Sequence, residues 1–207
     1  MTNETIRIAT GMRLGINICE PHLCSCGKQV ESRRIHGLSC RHSAATISWH
    51  NMVNDIIWRV MQRAKIPAAK EPPGLLRSDN KRPDGVTLIP WKQGKCLAWD
   101  VTIPDTYAQS HLPTTATNAG HAADKLAVSK TQKYQNILQT HLFTPIAIET
   151  AGVWNRQARE FITEHGKRIT TVTGEVREIS YIFQQISVEI QRGNMLSFMG
   201  SFTIDTD

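Results

Sequence analysis

The stretch from Leu97 to Ile103 constrains the fold more than any other. Trp99, Val101 and Ile103 alternate with Ala98, Asp100 and Thr102, the period of a β-strand with two distinct faces. One of those faces carries a carboxylate in otherwise apolar surroundings. A buried charge is expensive without a partner, so whatever covers that face must answer Asp100. Upstream, Val86 to Ile89 reads as a second strand, and Pro90 to Gly94 as the turn between them. In an antiparallel hairpin centred on Lys92, Asp84 falls opposite Asp100. Two carboxylates that close repel one another, and a divalent cation with a preference for hard oxygen ligands, Mg²⁺ or Mn²⁺, relieves the repulsion. The competing reading makes Asp84 a turn residue and pairs Asp100 with a lysine.

Around this hairpin the chain reads as helix, strand, strand, helix, strand, helix, helix. Residues 43–65 carry an apolar stripe through Ile47, Val53, Ile56, Ile57, Val60, Met61 and Ala64, ended by Pro67. Residues 67–85 and 104–117 read as loops. Helices are expected over 119–140, 154–165 and 175–191, the last stopped by Gly193 and Asn194, and a buried strand over 143–150. Residues 1–18 offer only short apolar-alternating runs. The fold class expected is α/β (α+β), a small central mixed sheet flanked by helices.

In the helix at 119–140, Ala119, Ala122, Ala123, Leu126, Tyr134 and Ile137 form the apolar stripe. Lys130 lies near its middle, Lys133 at its edge, and Lys125 well off it. A lysine in a core-facing stripe either meets a carboxylate, lines a cleft or snorkels to solvent.

Four of the five cysteines, Cys19, Cys24, Cys26 and Cys40, fall in the first forty residues, and the stretch 19–42 also holds His22, His36 and His42. Cys24, Cys26, His36 and Cys40 make a four-ligand set of the kind that holds structural Zn²⁺, with Gly27 permitting a tight turn. Cys19, His22 and His42 are spare candidates. An odd cysteine count argues against a secreted disulfide scaffold. The N-terminus has no apolar signal-peptide core and no stretch approaches a membrane span, so an intracellular, reducing compartment is expected. The net charge of +6 is compatible with a polyanionic partner.

Asp84, fifteen residues, then Asp100-Val101-Thr102 resembles the signature of PD-(D/E)xK nucleases, and departs from it in having Thr102 where that family usually carries a lysine. The combination of a lysine-less second acid with Lys130-x-x-x-Tyr134 is similar to the restriction-like endonuclease domain of site-specific non-long-terminal-repeat retrotransposons, which a Cys-Cys-His-Cys knuckle precedes. Further segments resemble retroelement-derived open reading frames: Glu71-Pro72-Pro73-Gly74-Leu75, Lys81-Arg82-Pro83-Asp84-Gly85, Trp99-Asp100-Val101-Thr102 and Gln191-Arg192-Gly193-Asn194.

The resemblance implies a PD-(D/E)xK core over 43–207 behind an N-terminal knuckle segment over 1–42. It implies a metal-dependent DNA endonuclease that nicks a target site. Asp84, Asp100 and the Val101 carbonyl would hold Mg²⁺ or Mn²⁺, Lys130 and Tyr134 would complete the catalytic set, and Cys24, Cys26, His36 and Cys40 would hold Zn²⁺. His50, Asn54 and Lys133 are accessory candidates; His50 and Asn54 share a helix face, with capping or surface exposure as the other reading, and Trp49 stands where such elements often have a basic residue. Glu149 either approaches the site or marks a strand end. Arg33, Arg34 and Arg41 could contact phosphate or stay solvated. DNA is the implied partner and the nucleus the implied location. No Tyr-x-Asp-Asp motif occurs, so a reverse transcriptase would be encoded elsewhere. The reading from another class is a zinc-stabilised DNA-binding module that no longer cuts.

Overall fold

The computed structural model describes residues 1–33, 35–40, 45–72 and 82–202. Among the described residues there are two sheets. The smaller pairs β1 (His22–Leu23) antiparallel with β2 (Gln29–Val30). The larger has the order β3-β4-β5-β6, built from β3 (Ala68–Lys70), β4 (Gly85–Thr87), β5 (Cys96–Thr102) and β6 (His141–Ala147). Its first two pairings are antiparallel and its last is parallel. The fold is therefore α+β, with a small mixed sheet flanked by helices.

The helices are α1 (Asn3–Leu14), α2 (Ile35–Ser39), α3 (Ala45–Arg63), α4 (Leu112–Thr115), α5 (His121–Lys133), α6 (Arg156–Thr173) and α7 (Glu178–Met199). A parallel β5–β6 pair cannot be joined by a hairpin, and α5 supplies the crossover. The alternation in β5 separates two layers. Leu97, Trp99 and Val101 pack with Val53, Ile57, Ile162, Ile182 and Ile186 of α3, α6 and α7. Ala98 faces the opposite side, with Val86, Tyr134 and Ile137. Each fully buried isoleucine stabilises the fold by about 1.5–3 kcal/mol, so the three-helix layer is the main core. The α5 layer is thinner, and it is where Asp100 emerges.

Several elements differ from the sequence reading. The runs over 1–18 form α1, capped by the Thr2 hydroxyl on the Thr5 amide at 3.2 Å and ended by Gly15 at φ 65°. Residues 68–70 are a strand, not part of a loop: two alanines and a lysine carry little β signal but pair with β4. The first hairpin strand is Gly85–Thr87 rather than 86–89. The 104–117 loop contains α4. The helix expected over 119–140 ends at Lys133, followed by a 3-10 turn at Gln135–Ile137. The strand placed at 143–150 lies at 141–147. The third long helix starts and ends later than 154–165, because Ile169 continues its buried face to Gly174.

The largest correction concerns α7. Gly193 and Asn194 do not stop it; it runs through both to Met199. Gly193 is there for contact with another helix: a Cβ at this position would lie 1.6 Å from Cδ1 of Trp49 on α3. Asn194 is 1% exposed and donates to the Thr150 carbonyl at 2.8 Å. Among the described residues, no helix is long and apolar enough to cross a membrane.

Candidate active site and metal centre

The β4–β5 pairing, Gly85 with Trp99 and Val86 with Ala98, is the register centred on Lys92, and its continuation sets Asp84 against Asp100. The Asp84 amide donates to the Trp99 carbonyl at 3.0 Å. The glycine after it is required by the strand opposite, since a Cβ on Gly85 would fall 1.9 Å from the Trp99 ring. Asn54 fixes the same junction from α3. Its Nδ2 donates to the Asp84 carbonyl at 3.1 Å and its Oδ1 accepts from Trp99 Nε1 at 2.9 Å. Asn54 is thus placed as a scaffold residue whose amide is spent on the fold.

Both carboxylates are answered by protein groups. Asp84 Oδ2 accepts from the Val101 amide at 2.5 Å and lies 2.8 Å from His50 Nε2. His50 thus meets Asp84 while its side chain stays partly exposed. The hydrogen bond to Asp84 raises His50 above the ordinary imidazole range, against the effect of burial, with smaller contributions from the charges of Asp84 and Asp100. Asp100 is 2% exposed. Its Oδ1 is 2.6 Å from the Tyr134 hydroxyl, and its Oδ2 forms an ion pair with Lys130.

Tyr134 ends α5 and is fully buried, its ring 4.9 Å from Phe143. Its hydroxyl is also 2.6 Å from the Arg82 carbonyl and receives a hydrogen bond from Lys133 Nζ at 3.0 Å. The Lys133 ammonium sits 4.6 Å from the same ring, a favourable cation–π distance. Lys130 is half-buried, whereas Lys125 and Lys133 are exposed. Lys130 is thus the lysine of α5 that turns toward the sheet and meets Asp100. The Arg82 carbonyl and the Val101 amide were not foreseen, as main-chain groups leave no signal in residue identity. Thr102 follows Asp100 without a charged group to offer.

Asp84, Asp100 and the Val101 carbonyl are a hard-oxygen set, chemically suited to Mg²⁺ or Mn²⁺.

The second centre lies in the N-terminal segment. The donor atoms of Cys24, Cys26, His36 and Cys40 all lie within 4.8 Å of one another. Cys24 Sγ is 3.6 Å from Cys40 Sγ, and Cys26 Sγ is 3.1 Å from His36 Nε2. Gly27, at φ 81°, makes the turn between β1 and β2 with its amide on the Cys24 carbonyl at 2.8 Å. Burial and then the charge of Lys28 lower His36, favouring the neutral imidazole a metal needs. For Cys24, burial acts to raise the thiol, but hydrogen bonds from the Cys26 backbone and the Cys40 and Cys26 side chains outweigh it and bring it below the ordinary range. The group could hold a metal ion, and three thiols with one imidazole suit Zn²⁺.

Two of the spare candidates, Cys19 and His22, are engaged outside that group. Cys19 bonds the Glu31 and Ser32 carbonyls, and His22 stacks on Phe202 at 4.3 Å while contacting Ser201. Arg33 is exposed. Arg34, Arg41 and His42 lie outside the described residues, as do Pro73, Gly74, Leu75 and Lys81. Glu149 is fully buried beside the N-terminus of α5. Compared with protein families and with curated proteins, the chain matches no family model and no curated sequence.

Proposed function

We propose that the protein is a metal-dependent DNA endonuclease with a PD-(D/E)xK core, in which the lysine expected two positions after the second acid is supplied instead by α5. The observation that carries this reading is the Lys130–Asp100 pair, set beside Asp84 on the adjoining strand. The mixed sheet flanked by helices and the Cys/His group ahead of it are in keeping with the resemblance. A lysine so placed can stabilise charge on a phosphate oxygen or orient the attacking water.

In this reading Asp84, Asp100 and the Val101 carbonyl hold Mg²⁺ or Mn²⁺, which when bound polarises a phosphoryl oxygen and acidifies water. Lys130 holds Asp100 in place while presenting its ammonium toward the scissile phosphate. Tyr134 fixes the second Asp100 oxygen, and Lys133 adds positive charge at the rim. The Zn²⁺-holding segment within 1–42 grips the duplex and 43–207 cuts it. A DNA substrate places the protein in the nucleus, with a reverse transcriptase as a separately encoded partner that extends the nicked end.

One observation favours a second reading. The two carboxylates are already answered by Lys130, Tyr134, His50 and the Val101 amide. With Thr102 in the usual lysine position, a zinc-stabilised DNA-binding module that no longer cuts is the alternative. Supercoiled plasmid incubated with Mn²⁺ and the protein, beside Asp100→Ala, separates the two. The nuclease reading expects nicking by the wild type alone and gel retardation by both. Retardation by both with the plasmid intact leaves the binding module standing.

A further inference from the structure

Helix α5 has no capping side chain of its own. Its N-cap is Gly120, at φ 90°, so the first-turn amides that a serine or aspartate would normally satisfy need another acceptor. The His121 amide reaches the Asn118 carbonyl at 3.2 Å, and the Asp124 amide reaches the Gly120 carbonyl at 2.9 Å. The two between them, Ala122 and Ala123, donate to Oε1 of Glu149 at 3.0 and 3.3 Å. Glu149 Oε2 accepts from the Thr106 hydroxyl at 3.2 Å. The glutamate is fully buried. Its own backbone is pinned in a tight turn just after β6: its amide donates to the Val153 carbonyl at 2.8 Å, and its carbonyl accepts from the Gly152 amide at 2.7 Å. A negative group at a helix N-terminus also meets the positive end of the helix dipole.

Tyr134 anchors the C-terminal end of α5 through Asp100 and Phe143, whereas the contacts nearer its N-terminus are small. Ala123 and Ala127 pack on Ala147 of β6. Small side chains let the helix approach closely but provide few interlocking contacts to fix its translation or rotation. Lys130 lies seven residues, about 10 Å, beyond Ala123 and on nearly the same face. A displacement at the N-terminus of α5 is therefore carried to the Lys130 ammonium.

We propose that Glu149 is a positioning residue: it caps and anchors α5 from the end of β6, and so sets Lys130 against Asp100. Its importance for cleavage rests on the nuclease reading above, whereas its hold on Lys130 does not. Glu149→Gln keeps a carbonyl oxygen for the two amides, with its NH₂ turned to the Thr106 hydroxyl. Glu149→Asp keeps the charge but withdraws it by one methylene, and Glu149→Ala removes the acceptor.

The test is the rate at which an amine-acetylating reagent modifies Lys130, read by mass spectrometry against exposed Lys125 of the same helix. The expected result is at least a fivefold faster modification of Lys130 in Glu149→Ala and Glu149→Asp, with Lys125 changed less than twofold and Glu149→Gln close to wild type. In the nicking assay the same two variants should lose at least tenfold in kcat at unchanged KM, and Glu149→Gln should retain it. Circular dichroism identifies which variants fold. Unchanged Lys130 protection in a folded alanine or aspartate variant overturns the proposal. If neither folds, Glu149→Gln decides, because an exposed Lys130 there contradicts it and a protected one upholds it. A wild type that does not nick defeats the nuclease reading and leaves the acetylation result to judge Glu149 on its own.

Discussion

Lys130 of α5 forms an ion pair with Oδ2 of Asp100 on β5, on the sheet face opposite the main core. The carboxylate side chain is 3% exposed and the lysine 25%. Leaving a buried charge without its partner is unfavourable, so the pair contributes to stability as well as to the site. The crossover topology makes the pair possible. A parallel β5–β6 connection must pass over one sheet face, and the helix that makes the passage brings Lys130 and Tyr134 to the two oxygens of one aspartate.

The contact between α3 and α7 leaves no room for a side chain at Gly193. Gly193→Ala gains about 1 kcal/mol of helix propensity, but its methyl group would collide with the indole of Trp49. Overpacking of this kind costs about 3 kcal/mol. Urea denaturation should show a net loss of about 2 kcal/mol with an unchanged m-value. A variant as stable as the wild type would mean that the two helices separate freely at this crossing.

The apolar cluster around Cys24 is small, its buried members being Cys24, Val30 and Cys40. A metal bound by Cys24, Cys26, His36 and Cys40 would add to its stability. Elemental analysis should find one zinc per chain, and Cys40→Ser should lose it. Limited proteolysis within residues 19–40 should then quicken at least tenfold, while the α3–α7 core stays resistant. Equal resistance with and without a chelator would argue against a structural metal.

His165 gives the chain a predictable acid limb. It is fully buried, stacked 4.8 Å from Trp91, with Nδ1 2.6 Å from the Phe161 carbonyl. Burial lowers it from 6.5 to about 4, and the hydrogen bond to Phe161 opposes that shift only in part. Between those values the unfolded chain binds a proton that the folded chain refuses, so stability rises with pH. The contribution is complete above pH 6.5 and falls by about 3 kcal/mol as the pH drops to about 4. Urea unfolding from pH 7 to 4 should show a shallower decline for His165→Phe than for the wild type. Parallel curves would contradict a neutral buried imidazole.

Much of this architecture could be read in the residues, and the misses have physical causes. The alternation in β5 and the turn at Lys92 were enough to set the register, because hairpin pairing is fixed locally. Lys130 could be picked from the α5 stripe, because helical periodicity gives direction. His50 was left between two readings, since its meeting with Asp84 bridges 34 residues and two elements. β3 was missed because Ala68, Ala69 and Lys70 have weak strand character and owe their form to β4. Gly193 looked like a helix end, but its lack of a side chain serves Trp49, and tertiary packing overrode the local signal.

Single-turnover nicking of supercoiled plasmid in Mn²⁺, wild type against Lys130→Met, tests the migrated lysine most directly. Methionine keeps the length and apolar stem of lysine but loses the ammonium. With Lys130 at the reacting phosphate, the nicking rate should fall at least about 100-fold, and plasmid retardation should stay within about twofold because rim cations still bind the duplex. Nicking by Lys130→Met at the wild-type rate would contradict the assignment of the lysine of this site to α5.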